Sequence, residues 1–232
     1  MNTKLALNLF LSIFFVSSCN FIDSDVTSFN FILPEKEFTV DSDQFNLDVN
    51  TQTMPIVDCD LEQECIDAGG EGFFCDSDNT CSVQLEYSLQ SEKILLKEEV
   101  EEFAVVTSKD HVSVSFEYIQ MDIFTNTLNF SIPPLKIYIA PQNVTALYNE
   151  NYELHEDAEL IGDLNTINAG DTGLYDINLA SEGKQILTEY VSHPDIPFYF
   201  FVAGSVIFQG GDPVPSGALT LKVHSMANAQ IE

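Results

Sequence analysis

Residues 57–82, VDCDLEQECIDAGGEGFFCDSDNTCS, concentrate most of the side chains in this chain that could do chemistry. Four cysteines sit there at the spacing Cys59-x5-Cys65-x9-Cys75-x5-Cys81. Thiolates at that density either bridge in pairs or hold a metal. Zinc sites favour gaps of roughly two to four residues, and the short gaps here are five residues, so disulfides are expected. More than one pairing is possible, and the equal gaps make local bridges, Cys59–Cys65 with Cys75–Cys81, one candidate. The same stretch carries Asp58, Asp60, Glu62, Glu64, Asp67, Glu71, Asp76 and Asp78. Calcium takes about six to eight oxygen ligands from flexible loops. Asp76-Ser77-Asp78-Asn79 offers oxygens at alternate positions, which makes Asp76 and Asp78 the candidate calcium ligands. The fragment lacks the glycine and the closing glutamate of a full calcium loop, and Cys81 interrupts it. A solvated acidic loop is the alternative.

Elsewhere the chemical inventory is sparse. His111, His155, His193 and His224 form no i, i+4 pair and no H-E-x-x-H. There is no G-x-S-x-G elbow, and Gly204-Ser205 and Gly210-Gly211 precede no helix pattern that would cradle a phosphate. No residue set argues for catalysis, and the expectation is a protein that is not an enzyme. Asn129-Phe-Ser and Asn143-Val-Thr match glycosylation sequons and read as chance.

Cys19, the fifth cysteine, stands apart. Lys4 is the only charge before Asp23, and Leu5–Val16 is mostly apolar. That run is shorter than the about twenty residues of a spanning helix. A basic start, a short apolar stretch and the small residues Ser17 and Ser18 read as a secretory signal. Val16-Ser17-Ser18-Cys19 resembles the lipobox of bacterial lipoproteins: a branched apolar residue, two small residues, then Cys. The resemblance covers residues 1–20. It implies that residues 1–18 are removed, that the Cys19 thiol carries a diacylglycerol and that its new amine is acylated. Residues 19–27 would then be a lipidated polar tether. One acyl chain holds only marginally, at about 0.8 kcal/mol per buried methylene, so several chains on one residue make the anchor durable. Asn20 after the cysteine, where Asp would retain the protein at the inner membrane, implies the outer membrane or cell surface. The alternative is an ordinary signal peptide that leaves Cys19 a free thiol. Export suits disulfides, and lipid on Cys19 accounts for the odd cysteine count.

A second resemblance bears on the pairing. Gly70-Glu71-Gly72-Phe73-Phe74-Cys75, with the surrounding cysteines, is similar to a truncated EGF-like module over 57–82, with four cysteines where a full module has six. It implies interlocked bridges, Cys59–Cys75 with Cys65–Cys81. Each bridge closing a loop of this length contributes about 3 kcal/mol in the chain-entropy model, and a stretch so poor in aliphatics needs such staples.

The formal net charge is −29, from eight lysines, no arginine and 37 acids. Neutralising phosphates takes clustered Lys and Arg, so nucleic acid is excluded as a partner. Anionic headgroups would repel the body, leaving attachment to the lipid. Hydrophobic residues make up 45% of the chain, with 18 Phe and 8 Tyr, enough for a packed core. Trp is absent, which removes the indole faces on which sugars often stack.

The elements that must position these residues are strands. Period-two alternation runs through Phe29–Leu33, Phe38–Val40, Val83–Leu89, Val112–Tyr118 (extending towards Ile123), Leu128–Ile132 and Leu135–Ile139. Later strands are expected at Asp176–Leu179, Pro197–Ala203, Ser205–Phe208 and Ala218–Val223. Ser91–Phe103 reads as a loop with a turn of helix. Ser181–Ser192 reads as a helix capped by Ser181, with Ile186, Leu187, Tyr190 and Val191 on one face. The pattern predicts an all-β, antiparallel β-sandwich of roughly 7–9 strands with one short helix and a small disulfide-rich insert. Strands within 28–56 are expected to pair with a sandwich domain at 83–232. The expected function is a membrane-anchored, extracytoplasmic lipoprotein with a non-catalytic binding or surface-assembly role and a protein partner. The alternative is an extracytoplasmic enzyme or a carrier of hydrophobic ligands, with Phe198-Tyr199-Phe200-Phe201 lining a cleft. A doubly buried core strand is the plainer reading of that run.

Overall fold

The computed structural model describes residues 28–45, 52–69, 72–107, 110–150 and 152–231. Cys19 and the residues expected to form the signal and the tether lie outside them. Among the described residues, eleven strands form two antiparallel sheets: β1 Ser28–Phe31, β2 Glu37–Asp41, β3 Phe73–Cys75, β4 Cys81–Gln90, β5 Val112–Asn126, β6 Leu135–Pro141, β7 Glu159–Leu164, β8 Gly173–Asp176, β9 Asn178–Leu179, β10 Phe198–Gln209 and β11 Ala218–Ile231. One sheet has five strands in the order β1-β11-β5-β8, with β2 also paired to β11; the other has six, ordered β3-β4-β10-β6-β7-β9. Helices are α1 Glu62–Gly69, α2 Leu96–Glu99 and α3 Ser181–Ser192. The fold is therefore the expected β-sandwich, with more strands than the predicted 7–9 and three helices in place of one.

The core lies between the sheets. Met121, Ile123, Leu219, Leu221 and Val223 face inward from the first sheet, and Leu135, Ile137, Ile139, Phe198, Phe200 and Val202 from the second. Burying side chains of this size stabilises by about 1.5–3 kcal/mol each. Phe103, from the 3-10 turn Glu101–Val105, fills one end, with ring centroids 5.1 Å from Phe29 and 4.9 Å from Phe31. Phe198 and Phe200 face this core, while Phe201 is buried on the opposite side of the same strand. The aromatic run is a doubly buried strand: Phe198, Phe200 and Phe201 are enclosed by packing on its two faces and do not line an open cleft.

Several elements depart from their expected form. The two segments at 197–208 are one strand, β10. β11 runs on to Ile231 because Ser225, Ala227 and Ala229 keep the inward phase with side chains too small to register as hydrophobic alternation. Ser225 is buried, and its hydroxyl accepts the Leu33 N–H at 3.3 Å. The expected strand at 176–179 is two strands in different sheets, β8 and β9, and the chain crosses between them at buried Ile177. Leu128–Ile132 forms no strand; only an isolated bridge, Ile132 to Ile167, precedes Pro133-Pro134. Proline cannot donate to a ladder, so this segment serves by burying Leu128 and Ile132. Neither α1 nor β7 was legible from periodicity.

Helix α3 has the predicted span but not the predicted cap: Ala180 occupies the cap position and no side chain bonds there. Packing holds it instead. Gly183 is buried against β7, where an added Cβ would lie 1.9 Å from the Ile161 carbonyl oxygen. Leu187 and Val191 are buried beneath it, and Ile186 and Tyr190 pack at the margin.

Candidate functional site

The cysteine module and the outer face of the six-stranded sheet are the two regions that the sequence reading and the surface shape single out. In the module, Cys59 bridges Cys75 and Cys65 bridges Cys81, each across 16 residues. The Sγ atoms of Cys59, Cys65 and Cys75 lie within 4.8 Å of one another. That thiol cluster is two neighbouring disulfides. Helix α1 lies between the bridges, and Glu64 fixes its start. The Glu64 carboxylate accepts the Asp60 N–H at 2.7 Å and the Leu61 N–H at 3.1 Å, the side-chain half of a capping box. These bonds hold Glu64 below the usual carboxylate range. Met54, Phe73, Val83, Val206 and Phe208 pack around the cysteines. Phe130, 5.0 Å from Phe208 by ring centroid, joins this cluster to the main core.

Asp76-Ser77-Asp78-Asn79 is the turn joining β3 to β4. The Asp76 N–H donates to the Thr80 carbonyl at 2.9 Å, and Asn79 takes the left-handed conformation at φ 58°, which Asn tolerates better than most residues. The Asp76 carboxylate is filled from within. It accepts the Asp78 and Thr80 N–H groups at 2.9 and 3.1 Å, the Thr80 and Ser82 hydroxyls at 3.0 and 2.7 Å, and the Gln209 Nε2 of β10 at 3.5 Å. Of these donors, those of Ser82 foremost, then Thr80 and Asp78, pull its pKa down to about 2. A metal at Asp76 would have to displace them. Asp78 instead borders a notch with Asp58, Asp60 and Glu64. The two candidate calcium ligands therefore have different surroundings.

The histidines are dispersed. His193 Nδ1 meets the Glu189 carbonyl at 2.8 Å. His155 Nδ1 accepts the Asp157 N–H at 3.2 Å. His224 sits on the open face of the five-stranded sheet, 3.5 Å from Glu35 and 3.3 Å from the Tyr118 hydroxyl. Lys222 pairs with Glu35 at 2.6 Å, and that hydrogen bond is the main reason the Glu35 pKa is lowered. This set ties the β1–β2 connection to β11 on a surface without walls.

Two concavities lie on and beside the outer face of the other sheet. Beyond β6, the chain folds back over that face, and Val144, Leu147 and Ala158 bury Tyr138, Ala140, Phe201 and Ala203. Burial and the neighbouring hydroxyl of Tyr148 push the Tyr138 pKa up to about 12. The cover ends partway along β10: Phe201 is 1% exposed and Ile207 51%. At that margin is a groove of about 330 Å³, lined by Glu86, Pro133, Pro134, Lys136, Tyr148, Tyr152, Ala203, Gly204 and Ser205. Strand register sets its floor: Ser205 pairs with Glu86 on β4, and Ala203 with Lys136 on β6. A second concavity of about 620 Å³ shares Glu86 and Tyr152 and adds Phe45, Gln84 and Leu85. It opens at the edge of β4, since β3 pairs only with Cys81–Val83.

Tyr152 stands at the junction of the two and is 78% exposed. Its φ is +59°, a genuine outlier for a bulky side chain. The turn that holds it is tied in both directions. Tyr152 N–H donates to the Asn149 carbonyl at 3.0 Å, Glu153 N–H to Asn149 Oδ1 at 3.0 Å, and Asn149 Nδ2 to Glu153 Oε2 at 2.9 Å. Sequence reasoning missed this groove, because its floor is made of small residues and its walls come from two loops far apart in the chain.

No protein-family model matches the sequence, and no curated protein matches it. A solved structure concerned with the promiscuous specificity of carbohydrate-binding modules from the β-sandwich superfamily overlaps with a TM-score of 0.23 and 10% identity. The overlap covers 88% of this chain and 58% of that one, so the chain spans under two thirds of its length. A likeness so slight says nothing about ligand. Among the described residues, no helix is long and apolar enough to cross a membrane.

Proposed function

We propose that this chain is an extracytoplasmic bacterial lipoprotein, held at the outer membrane or cell surface by lipid on Cys19, with a non-catalytic role in binding. Its contact face is the groove at Tyr152. The observation that carries the binding reading is the contrast between a filled interior and concave outer surfaces. Phe103, Phe198, Phe200 and Phe201 are almost wholly buried, while Tyr152 is held out beside small floor residues. Val16-Ser17-Ser18-Cys19 supports the anchor, and two disulfides suit an oxidising compartment.

Intact mass of protein extracted from membranes tests the anchor. The expected species begins at Cys19 and carries a diacylglyceryl and an acyl group. A chain that begins elsewhere, or a Cys19 that alkylates as a free thiol, overturns it. Solution binding to an envelope fraction, compared with Tyr152→Ala, tests the contact face.

A further inference from the structure

We infer that the groove binds an uncharged, hydroxyl-rich glycan chain; this deepens the binding role proposed above and rests on it. The first argument is local charge. The chain carries 37 acids, yet the described residues lining both concavities include one carboxylate, Glu86, and one ammonium, Lys136. A cationic ligand would find stronger attraction over most of the remaining surface. An anionic one would meet the repulsion of the whole body. A neutral ligand is the kind for which a charge-balanced groove is an advantage.

The second argument is the state of the polar groups. Gln84 Nε2 donates to Glu86 Oε1 at 2.9 Å, which orients the carboxylate and leaves Oε2 without a protein partner among the described residues. Lys136 Nζ and Ser205 Oγ likewise have none there, whereas Lys36 and Lys222 are ion-paired. Register brings Lys136, Ser205 and Glu86 together around a floor of Ala203 and Gly204. A carboxylate accepts from a sugar hydroxyl, an ammonium donates to one, and a serine hydroxyl does either.

The third is shape. Tyr148, Tyr152 and Pro133-Pro134 give flat apolar walls to a trough whose small floor residues leave depth. Tyrosine presents a stacking face and a polar tip together, so it supplies the apolar platform that the missing tryptophan would have supplied. The backbone at Tyr152, in the left-handed conformation and held by the Asn149–Glu153 clasp, sets where the ring starts before the ligand arrives. That preorganisation lowers the entropic penalty of binding.

The test is affinity electrophoresis of the full-length, detergent-extracted protein through gels containing dextran, mannan, pullulan or xylan. Each polymer is used intact and after periodate cleavage of its vicinal diols. The expected result is retardation by at least one intact polymer and loss of retardation on its oxidised form. Tyr152→Ala should weaken binding at least tenfold, and Lys136→Met severalfold, with unchanged melting temperatures. Two results overturn the inference: migration unaffected by all four polymers, or retardation that persists in Tyr152→Ala. A parallel assay on the envelope fraction, with and without protease treatment, separates this failure from failure of the binding role. If the polymers fail but Tyr152→Ala abolishes protease-sensitive binding, the groove binds a polypeptide and the glycan assignment is wrong. If Tyr152→Ala changes neither assay, the contact face itself is wrong.

Discussion

The end of the sandwich closed by residues 57–82 and the end covered by α3 solve one problem in different ways. At the α3 end, Leu187, Val191, Phe198 and Ile161 bury large apolar side chains, and a glycine lets a helix lie directly on a strand. At the other, few aliphatics are available, and two bridges and one saturated carboxylate hold α1 and the β3–β4 turn in place. Hydrophobic burial has no pH or redox sensitivity of its own. A clasp of disulfides and an ionised aspartate has both. The two ends should therefore fail under different conditions, although Phe130 touches both clusters.

The largest effect should come from the bridges. Replacing Cys65 and Cys81 by Ser removes a crosslink worth about 3 kcal/mol in the chain-entropy model. Amide exchange should then accelerate throughout 57–82 while β5 and β11 stay protected, because their pairing extends from Val112 to Asn126 without the module. Uniform loss of protection across both ends would show that the module is needed for the sandwich to fold, and the comparison would collapse.

Next is Gly183→Ala. Glycine inside a helix is normally less stable than alanine by roughly 0.5–1 kcal/mol, so propensity alone predicts a gain. Contact with the Ile161 carbonyl predicts the reverse, a loss of about 1–3 kcal/mol as α3 lifts from β7. Denaturant melts decide the sign, and a more stable variant would mean that the helix is not seated as described.

Asp76 offers a smaller handle, specific to the module. Its folded pKa, about 2, lies below its ordinary value of 3.8. The stability it contributes is therefore fully present above that ordinary value and disappears as pH falls through about 2. Module amides should lose protection in that window before those of β11, and Asp76→Ala should remove that part of the pH dependence. With the same carboxylate already occupied by five donors, millimolar calcium or a chelator should leave the melting temperature of the wild-type protein unchanged. A calcium-dependent rise would place an ion at Asp78 and its acidic neighbours.

These contrasts also explain what could be read in advance. Strands with large alternating side chains, such as Leu135–Ile139 and Val112–Ile123, declare their phase. β11 hides half of its length because Ser225, Ala227 and Ala229 are small, and 176–179 misleads because one alternation serves two sheets across Ile177. Periodicity sees one strand at a time and does not register a change of partner. Helix α1 is masked by its acids and by Cys65, whose burial depends on the bridges. The groove was invisible for a related reason. Ala203, Gly204 and Ser205 look like a weak point in a strand, and only the register with Glu86 and Lys136 makes them a floor.

The smallest predicted effect probes the one buried side-chain polar atom that lacks a partner among the described residues, the Tyr87 hydroxyl. Tyr87 on β4 pairs with Gly204 on β10, where an added Cβ would sit 2.7 Å from the Tyr87 oxygen and 2.8 Å from Leu135 Cδ2. The glycine gives the ring its place, yet the oxygen reaches no acceptor, and burial raises its pKa. An unpartnered buried hydroxyl costs about 1–3 kcal/mol. Tyr87→Phe should therefore stabilise the protein by about 1 kcal/mol, allowing for some relaxation around the oxygen. The ring contact with Phe45, at 6.3 Å between centroids, is retained. A destabilised Tyr87→Phe would mean that the hydroxyl has a partner after all, such as a buried water, and that the core beside β4 relies on a polar contact as the module does.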